Sequence, residues 1–450
     1  MHLQDLIIDL SFLCALLLAG SVLCIRIRLL RKLFIPASIV SGLLGLALIP
    51  SGLIPISLSP LSAQIPLAGI DLIFAGLFIG RRIPPLRSLA RNAGAQAAYA
   101  YINAFGQIAI GFLTVAALNS FHFPIHPLFA LALVLGFQGG LGVSASVSPT
   151  VEKLGWSAVE MTATGECCAL AGFFLAILFG LVLVNIGVRK GATVSADVTP
   201  EPPEGTPQQP LEGKGDDGGG STFPGRVAGT ISIHFGFIGL AVLLGYVLDS
   251  LLLYALPSFS FLPRFPFALI GGLTLQIFLQ KSGLHKFIDR NAVERITAFV
   301  LDMIIISSLI TVKISVVMMY AIPLLLLITA GFVFNVFMLV FLAPKILSGA
   351  WFEKAVCEYG QNTGSTPQAL LLLRMIDPEL KTGAAEAFAL KMFLFSPVMF
   401  PVVMISMRPA LAAGPLLTGL ASAGISLFAV IACRVLCWKN DSGSVPFTGH

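Results

Sequence analysis

Two polar stretches interrupt an otherwise apolar chain, and their residue types could hold a small charged solute. The first is residues 136–146, GFQGGLGVSAS, and the second is residues 359–367, YGQNTGSTP. In the first, Gly139, Gly140 and Gly142 let backbone approach a ligand closely, and Ser144 and Ser146, with Ser148 just beyond, add hydroxyls. In the second, Gln361, Asn362, Thr363, Ser365 and Thr366 supply donors and acceptors around Gly364, and Pro367 suits the first turn of a following helix. A helix start at membrane depth presents free amides and a positive dipole end, which receive a carboxylate. Helix ends and loose carbonyls receive Na⁺ instead. A lone Gly-Gly-x-Gly is explained equally well by tight packing through small residues. Two Gly/Ser/Thr stretches at corresponding places favour a substrate pathway. The candidate substrate-binding residues are Gln138, Gly139, Gly140, Gly142, Ser144, Gln361, Asn362, Gly364, Ser365 and Thr366.

Ionisable and amide groups inside apolar runs form a second set. An acid within a span is costly and marks function. Asp71 and Asp302 could ligate Na⁺, carry protons or cap a broken helix, and Asn103 and Asn335 lie in spans of their own; these four are the candidate cation-binding residues. Together with Gln107, the two asparagines could equally hydrogen-bond between helices. Glu166 and Glu386 fall near the starts of the spans after the polar stretches, where first-turn acids favour a helix N-terminus. Lys391 could neutralise an acid or a substrate carboxylate, or snorkel, and Glu358 precedes the second stretch. His122 and His126 share a loop, and no His/Asp/Ser constellation suggests hydrolysis. The seven cysteines have no metal-type spacing and read as small packing residues. No catalytic residue and no organic cofactor are therefore expected; the chain reads as a non-enzyme, with sodium the only metal implied.

The elements that must position these groups are membrane spans. Of 450 residues, 56% are hydrophobic and 11% charged, against about 25% charged in a soluble domain. Mean hydropathy is +0.93. This is an all-α polytopic membrane protein, and its net charge of +5 does not argue for nucleic acid, because the basic residues cluster beside spans. The first apolar run has Asp5 and Asp9 near its start rather than a basic region, so no cleavable signal peptide is expected. Apolar runs predict five spans in residues 1–190 (6–25, 34–51, 67–80, 93–118 and 161–188) with a hairpin at about 126–156. Residues 191–225 read as an unstructured linker, rich in Pro, Gly and charge. Five more spans follow in residues 226–407 (227–256, 265–279, 296–312, 314–343 and 384–407), with a hairpin at about 346–374. An extra span at 408–438 and a polar tail at 439–450 complete the chain.

The halves repeat. Pro36 and Pro266, and Gly42 and Gly272, are 230 residues apart; Asp71 and Asp302 are 231 apart, and Asn103 and Asn335 are 232 apart. Gly142 and Gly364 are 222 apart, and Glu166 and Glu386 are 220 apart. Lys/Arg clusters follow the odd-numbered spans, which puts those loops in the cytoplasm, the N-terminus outside, and the linker and C-terminus inside. Five spans per half make the halves inverted, with one hairpin entering from each side.

The motifs Ile35-Pro36 with Ser41-Gly42-Leu43-Leu44, Gly139-Gly140-Leu141-Gly142, Ala169 with Gly172, and Gly360 through Gly364-Ser365-Thr366-Pro367 resemble those of the bacterial sodium/glutamate symporters. The resemblance covers nearly all of residues 1–407. It implies two inverted five-span repeats with re-entrant loops, a cytoplasmic linker, Na⁺-coupled uptake of glutamate at the bacterial inner membrane, and a homodimer. Leu141 stands where those carriers have a polar residue, Gln361 and Asn362 replace more apolar ones, and the eleventh span is extra. The expected function is therefore Na⁺-coupled symport of glutamate or a related carboxylate. A proton-coupled or antiport carrier of another organic anion is the alternative. A channel or membrane-embedded enzyme fits less well.

Overall fold

The computed structural model describes residues 3–51, 58–59, 61–194 and 228–437. Most of the expected linker, the tail and part of the loop after the second span lie outside these residues. Among them every regular element is helical. The first half contains α1 (Leu3–Arg26), α2 (Arg28–Lys32), α3 (Ala37–Ser51), α4 (Ile65–Gly76), α5 (Leu86–Ser120), α6 (Leu131–Phe137), α7 (Val143–Lys153) and α8 (Ala158–Arg189). The second contains α9 (Ala228–Ala255), α10 (Phe265–Lys281), α11 (Arg290–Ile310), α12 (Ile314–Met319), α13 (Ala321–Phe337), α14 (Ala343–Ile346), α15 (Trp351–Thr363), α16 (Thr366–Ile376) and α17 (Ala384–Cys437). Six helices among the described residues are long and apolar enough to cross a hydrocarbon core. Four further apolar helices are shorter.

Where boundaries differ from expectation, the local chemistry explains it. The expected span at 296–312 begins earlier, at Arg290, because Asp289 caps it by accepting the Asn291 N–H at 2.9 Å. The expected span at 314–343 is broken at Tyr320 and carries a π-turn over Met338–Leu342. The last two expected spans run together as α17, and their break falls at Gly414 rather than near Arg408. Gly414 has φ +77°, open to glycine, and Pro415 starts the next segment without needing an amide partner. Thr418 Oγ1 donates to the Gly414 carbonyl at 2.8 Å and so serves a group the break frees.

The helices fall into two compact units, each drawing one piece from each half. Unit 1 comprises residues 1–84 and 204–312. Here α9 and α10 cross closely at small residues: a Cβ on Gly271 would meet the Ala241 carbonyl. The apolar core includes Ala75, Ile238, Ala268, Leu275 and Val293. Two glutamines one turn apart on α10 hold the chain beyond α4. Gln276 accepts the Gly80 N–H at 2.9 Å and donates to the Arg81 carbonyl, while Gln280 bonds both backbone groups of Ile83.

Unit 2 comprises residues 85–203 and 313–450. The long α5 packs along α17, α8 receives α6, α7 and α15, and α15 pairs with α16. Its core gathers Tyr99, Val184, Leu339, Phe352, Leu372 and Phe388. Both polar stretches lie in this unit, each as a helix broken at its middle: α6 into α7, and α15 into α16.

Candidate functional site

The first break is made by glycine. Gly140 has φ +78° and Gly142 φ +89°, conformations that strain any side-chain-bearing residue. They turn the chain from the end of α6 into α7. The Gly142 N–H donates to Glu166 of α8, at 2.9 Å to Oε1 and 3.1 Å to Oε2. Glu166 is buried, at 1% exposure, so the start of α7 already holds a carboxylate belonging to the protein. This corrects the sequence expectation, which placed Glu166 in the first turn of its own helix. That place in α8 belongs to Glu160, whereas Glu386 does sit in the first turn of α17 and is exposed. Ser144 is buried with its hydroxyl against Gly165, and Oγ has no partner within the protein.

The second break uses no left-handed residue. Gly364 has φ −121° and ψ −87°, on the negative side of φ. What it provides is room: a Cβ there would lie 2.9 Å from Ala176 Cβ and 3.2 Å from the Gly360 carbonyl. Ser365 donates its hydroxyl to Gln368, and Thr366 opens α16 with Pro367 beside it. The tips of the two broken pairs meet. A Cβ on Gly140 would sit 3.8 Å from both the Gly364 carbonyl and Ser365 Cβ. The Thr363 carbonyl fills the place a side chain at Gly172 would take.

Around this meeting point stands a cluster of amides. Asn103 and Asn335, paired by sequence spacing, are hydrogen-bonded: Asn103 Nδ2 donates to Asn335 Oδ1 at 3.0 Å. Asn335 Nδ2 passes the pattern on to the Asn362 carbonyl at 3.3 Å. Gln138 Nε2 feeds it from the other end, donating to Asn103 Oδ1 at 3.4 Å. Gln107 Nε2 lies 3.1 Å from Asn103 Oδ1, 3.0 Å from Asn335 Oδ1 and 2.6 Å from the Asn362 carbonyl.

One helical turn before Asn362 lies Glu358, fully buried with Lys391 of α17. Lys391 Nζ reaches Glu358 Oε1 at 2.5 Å and Oε2 at 2.6 Å. Gln96 Nε2 donates to Oε1 at 2.9 Å and Asn362 Nδ2 to Oε2 at 3.3 Å. Phe388 and Phe395 rings face the ammonium at 4.6 and 5.7 Å. Of the alternatives open for Lys391, the structure selects neutralising an acid of the protein. Gln96 carried no sequence signal beyond its polarity.

Gln138, Gly139 and Gln361 line one cavity with Phe395, Ser396 and Met399. Its volume of about 40 Å³ has room for roughly three water molecules. Gln361 Oε1 is buried there without a partner within the protein. At the entrance to the first pair, His126 accepts the Leu128 N–H at 3.2 Å and stacks on Trp156. Burial lowers the His126 pKa against the raising influence of Glu160, which suits the neutral, accepting imidazole.

The expected cation set divides between the units. Asn103 and Asn335 join the tips in unit 2, whereas Asp71 and Asp302 belong to unit 1. Asp71 lines a surface cavity of about 330 Å³ with Tyr246 and Arg264, and Arg264 reaches Asp249 at 3.7 Å. Asp302 lies beside Ser38. No protein-family model matches the chain, and no curated protein matches it.

Proposed function

We propose that this chain is a secondary transporter that carries a small carboxylate anion, glutamate or a relative, in symport with Na⁺ by alternating access. The observation that carries this reading is the meeting of two broken helix pairs at Gly140, Gly364 and Ser365 inside one compact unit. Broken helices persist at membrane depth where protein or a water-lined cavity satisfies the freed backbone. Their ends offer both polarities. The start of α16, with Ser365 and Thr366, favours a carboxylate, and the last turn of α15 favours a cation. The start of α7 serves the substrate only by shape, since Glu166 holds its amide. Pockets that enclose small organic ligands measure about 300–1,000 Å³, so the cavity of about 40 Å³ must widen to admit an amino acid.

In this reading the protein sits in a bacterial inner membrane as a homodimer, with its N-terminus outside and its linker and C-terminus in the cytoplasm. The basic residues after the odd-numbered spans support the orientation, and the family resemblance supports the rest. Proton-coupled transport is the second reading, favoured by the buried Glu358–Lys391 pair, where a proton could be exchanged. The test is uptake of labelled glutamate into proteoliposomes with Na⁺ and proton gradients imposed separately. Na⁺-driven uptake supports the first reading and proton-driven uptake the second. Absence of uptake across a panel of dicarboxylates and amino acids removes both.

A further inference from the structure

Three oxygens of the amide cluster point at one place. They are Asn103 Oδ1, Asn335 Oδ1 and the Asn362 carbonyl, 2.6–3.1 Å from Gln107 Nε2. A carboxamide nitrogen has two hydrogens, so it cannot serve three acceptors fully. None of the three depends on it. Asn103 Oδ1 has the Gln138 donor, Asn335 Oδ1 has Asn103 Nδ2, and the Asn362 carbonyl has Asn335 Nδ2. The relay fixes each oxygen and leaves each a second lone pair facing the common point. Meanwhile the other end of the same side chain, Gln107 Oε1, is buried without a partner within the protein, on a residue at 0% exposure.

We propose that this point is a binding site for a dehydrated monovalent cation, Na⁺, and that the Gln107 carboxamide turns over to admit it. The inference rests on the cation-coupled reading above and names the site and the switch. With the nitrogen inward, the amide imitates a cation. With the side chain turned and drawn back, Oε1 becomes a fourth oxygen and the ion lies between it and the other three. The two ends of a carboxamide have nearly the same shape, so the turn itself needs no repacking; seating the ion needs only the side chain to draw back. The Asn362 carbonyl lies in the last turn of α15, at the negative end of that helix dipole. The cage is made of neutral oxygens. The acid bonded to Asn362, Glu358, is already matched by Lys391, so a single positive charge is favoured over a divalent one.

The test is thermal unfolding of the purified full chain in detergent at pH 8, with NaCl replacing choline chloride at constant ionic strength. A ligand that binds the folded form raises the melting temperature with its concentration. Wild type should respond to Na⁺, and Gln107→Leu should not. Gln107→Glu should respond at Na⁺ concentrations at least tenfold lower, because a carboxylate among three oxygens has no hydrogen to offer and requires a cation. If Gln107→Leu fails to fold, the Glu variant still decides. Variants that respond like wild type overturn the site, and an equal response to K⁺ overturns its assignment to Na⁺. If wild type shows Na⁺-driven uptake with half-saturation unchanged in Gln107→Glu, the symport reading stands and this site falls. If wild type shows neither Na⁺-dependent stabilisation nor Na⁺-driven uptake, the symport reading fails and takes the site with it.

Discussion

In the α6–α7 pair, an acid from a neighbouring helix, Glu166, takes the amide hydrogen at the break. In the α15–α16 pair the acid, Glu358, belongs to the broken helix itself and turns to Lys391, leaving neutral amides and hydroxyls at the tip. The first break is held by left-handed glycines, the second by close packing around a glycine at negative φ. The same interruption of a helix is thus met in one place by a fixed negative charge and in the other by neutral amides and hydroxyls. Matching positions in the halves of a chain need not share a task.

Breaking the ion pair should have the largest effect. Lys391→Met strands a buried carboxylate, and the expected cost is about 3–5 kcal/mol, read as a lower unfolding temperature in detergent. Joining it with Glu358→Gln should recover most of that loss. Next come the glycines. Gly142→Val forces a branched residue to positive φ and should cost about 1–3 kcal/mol. Gly364→Val escapes positive φ but crowds Ala176 Cβ at 2.9 Å, and should cost less. Both should abolish glutamate uptake at normal membrane insertion, and equal losses of stability would erase the distinction between the breaks. Glu166→Gln keeps the shape but removes the charge at the start of α7. About 1–2 kcal/mol is expected, measured by the same melt. Smallest is Glu386→Gln, an exposed acid at the position that spacing pairs with Glu166; a change within about 0.5 kcal/mol is expected. A large effect there would restore equivalence to the two acids.

Some of this was legible because the physics is local. Apolar run length marked the helices, and glycine density marked the first break. The 232-residue spacing of Asn103 and Asn335 picked out two side chains that touch. Other features depend on which helix faces which. Distance along the chain from an apolar run suggests a first-turn place for Glu166, but its partner lies across a helix interface. Nothing in the residues around Gln107 marks it as the amide nearest three oxygens; only the approach of α5, α13 and α15 does that. Asp71 and Asp302 looked alike to Asn103 and Asn335 as polar groups in apolar runs, yet the units separate the two pairs. The expected tenth span ends at Met407, beside the charged Arg408. The helix ignores that charge and yields where the backbone allows, at Gly414.

The amide relay has a direction, and one atom sets it. Gln138, Asn103 and Asn335 each donate forward, and the series ends on the Asn362 carbonyl, a backbone group that can only accept. Reversing any one side chain would set donor against donor or acceptor against acceptor, so the orientations form a single collective choice dictated from the end of α15. Isosteric amide-to-acid changes are therefore unequal. At Asn335 the loss of a donor severs the link to the terminus, so the facing of Asn103 and Gln138 loses its anchor. At the head of the series, Gln138→Glu removes a single bond and leaves the order behind it intact.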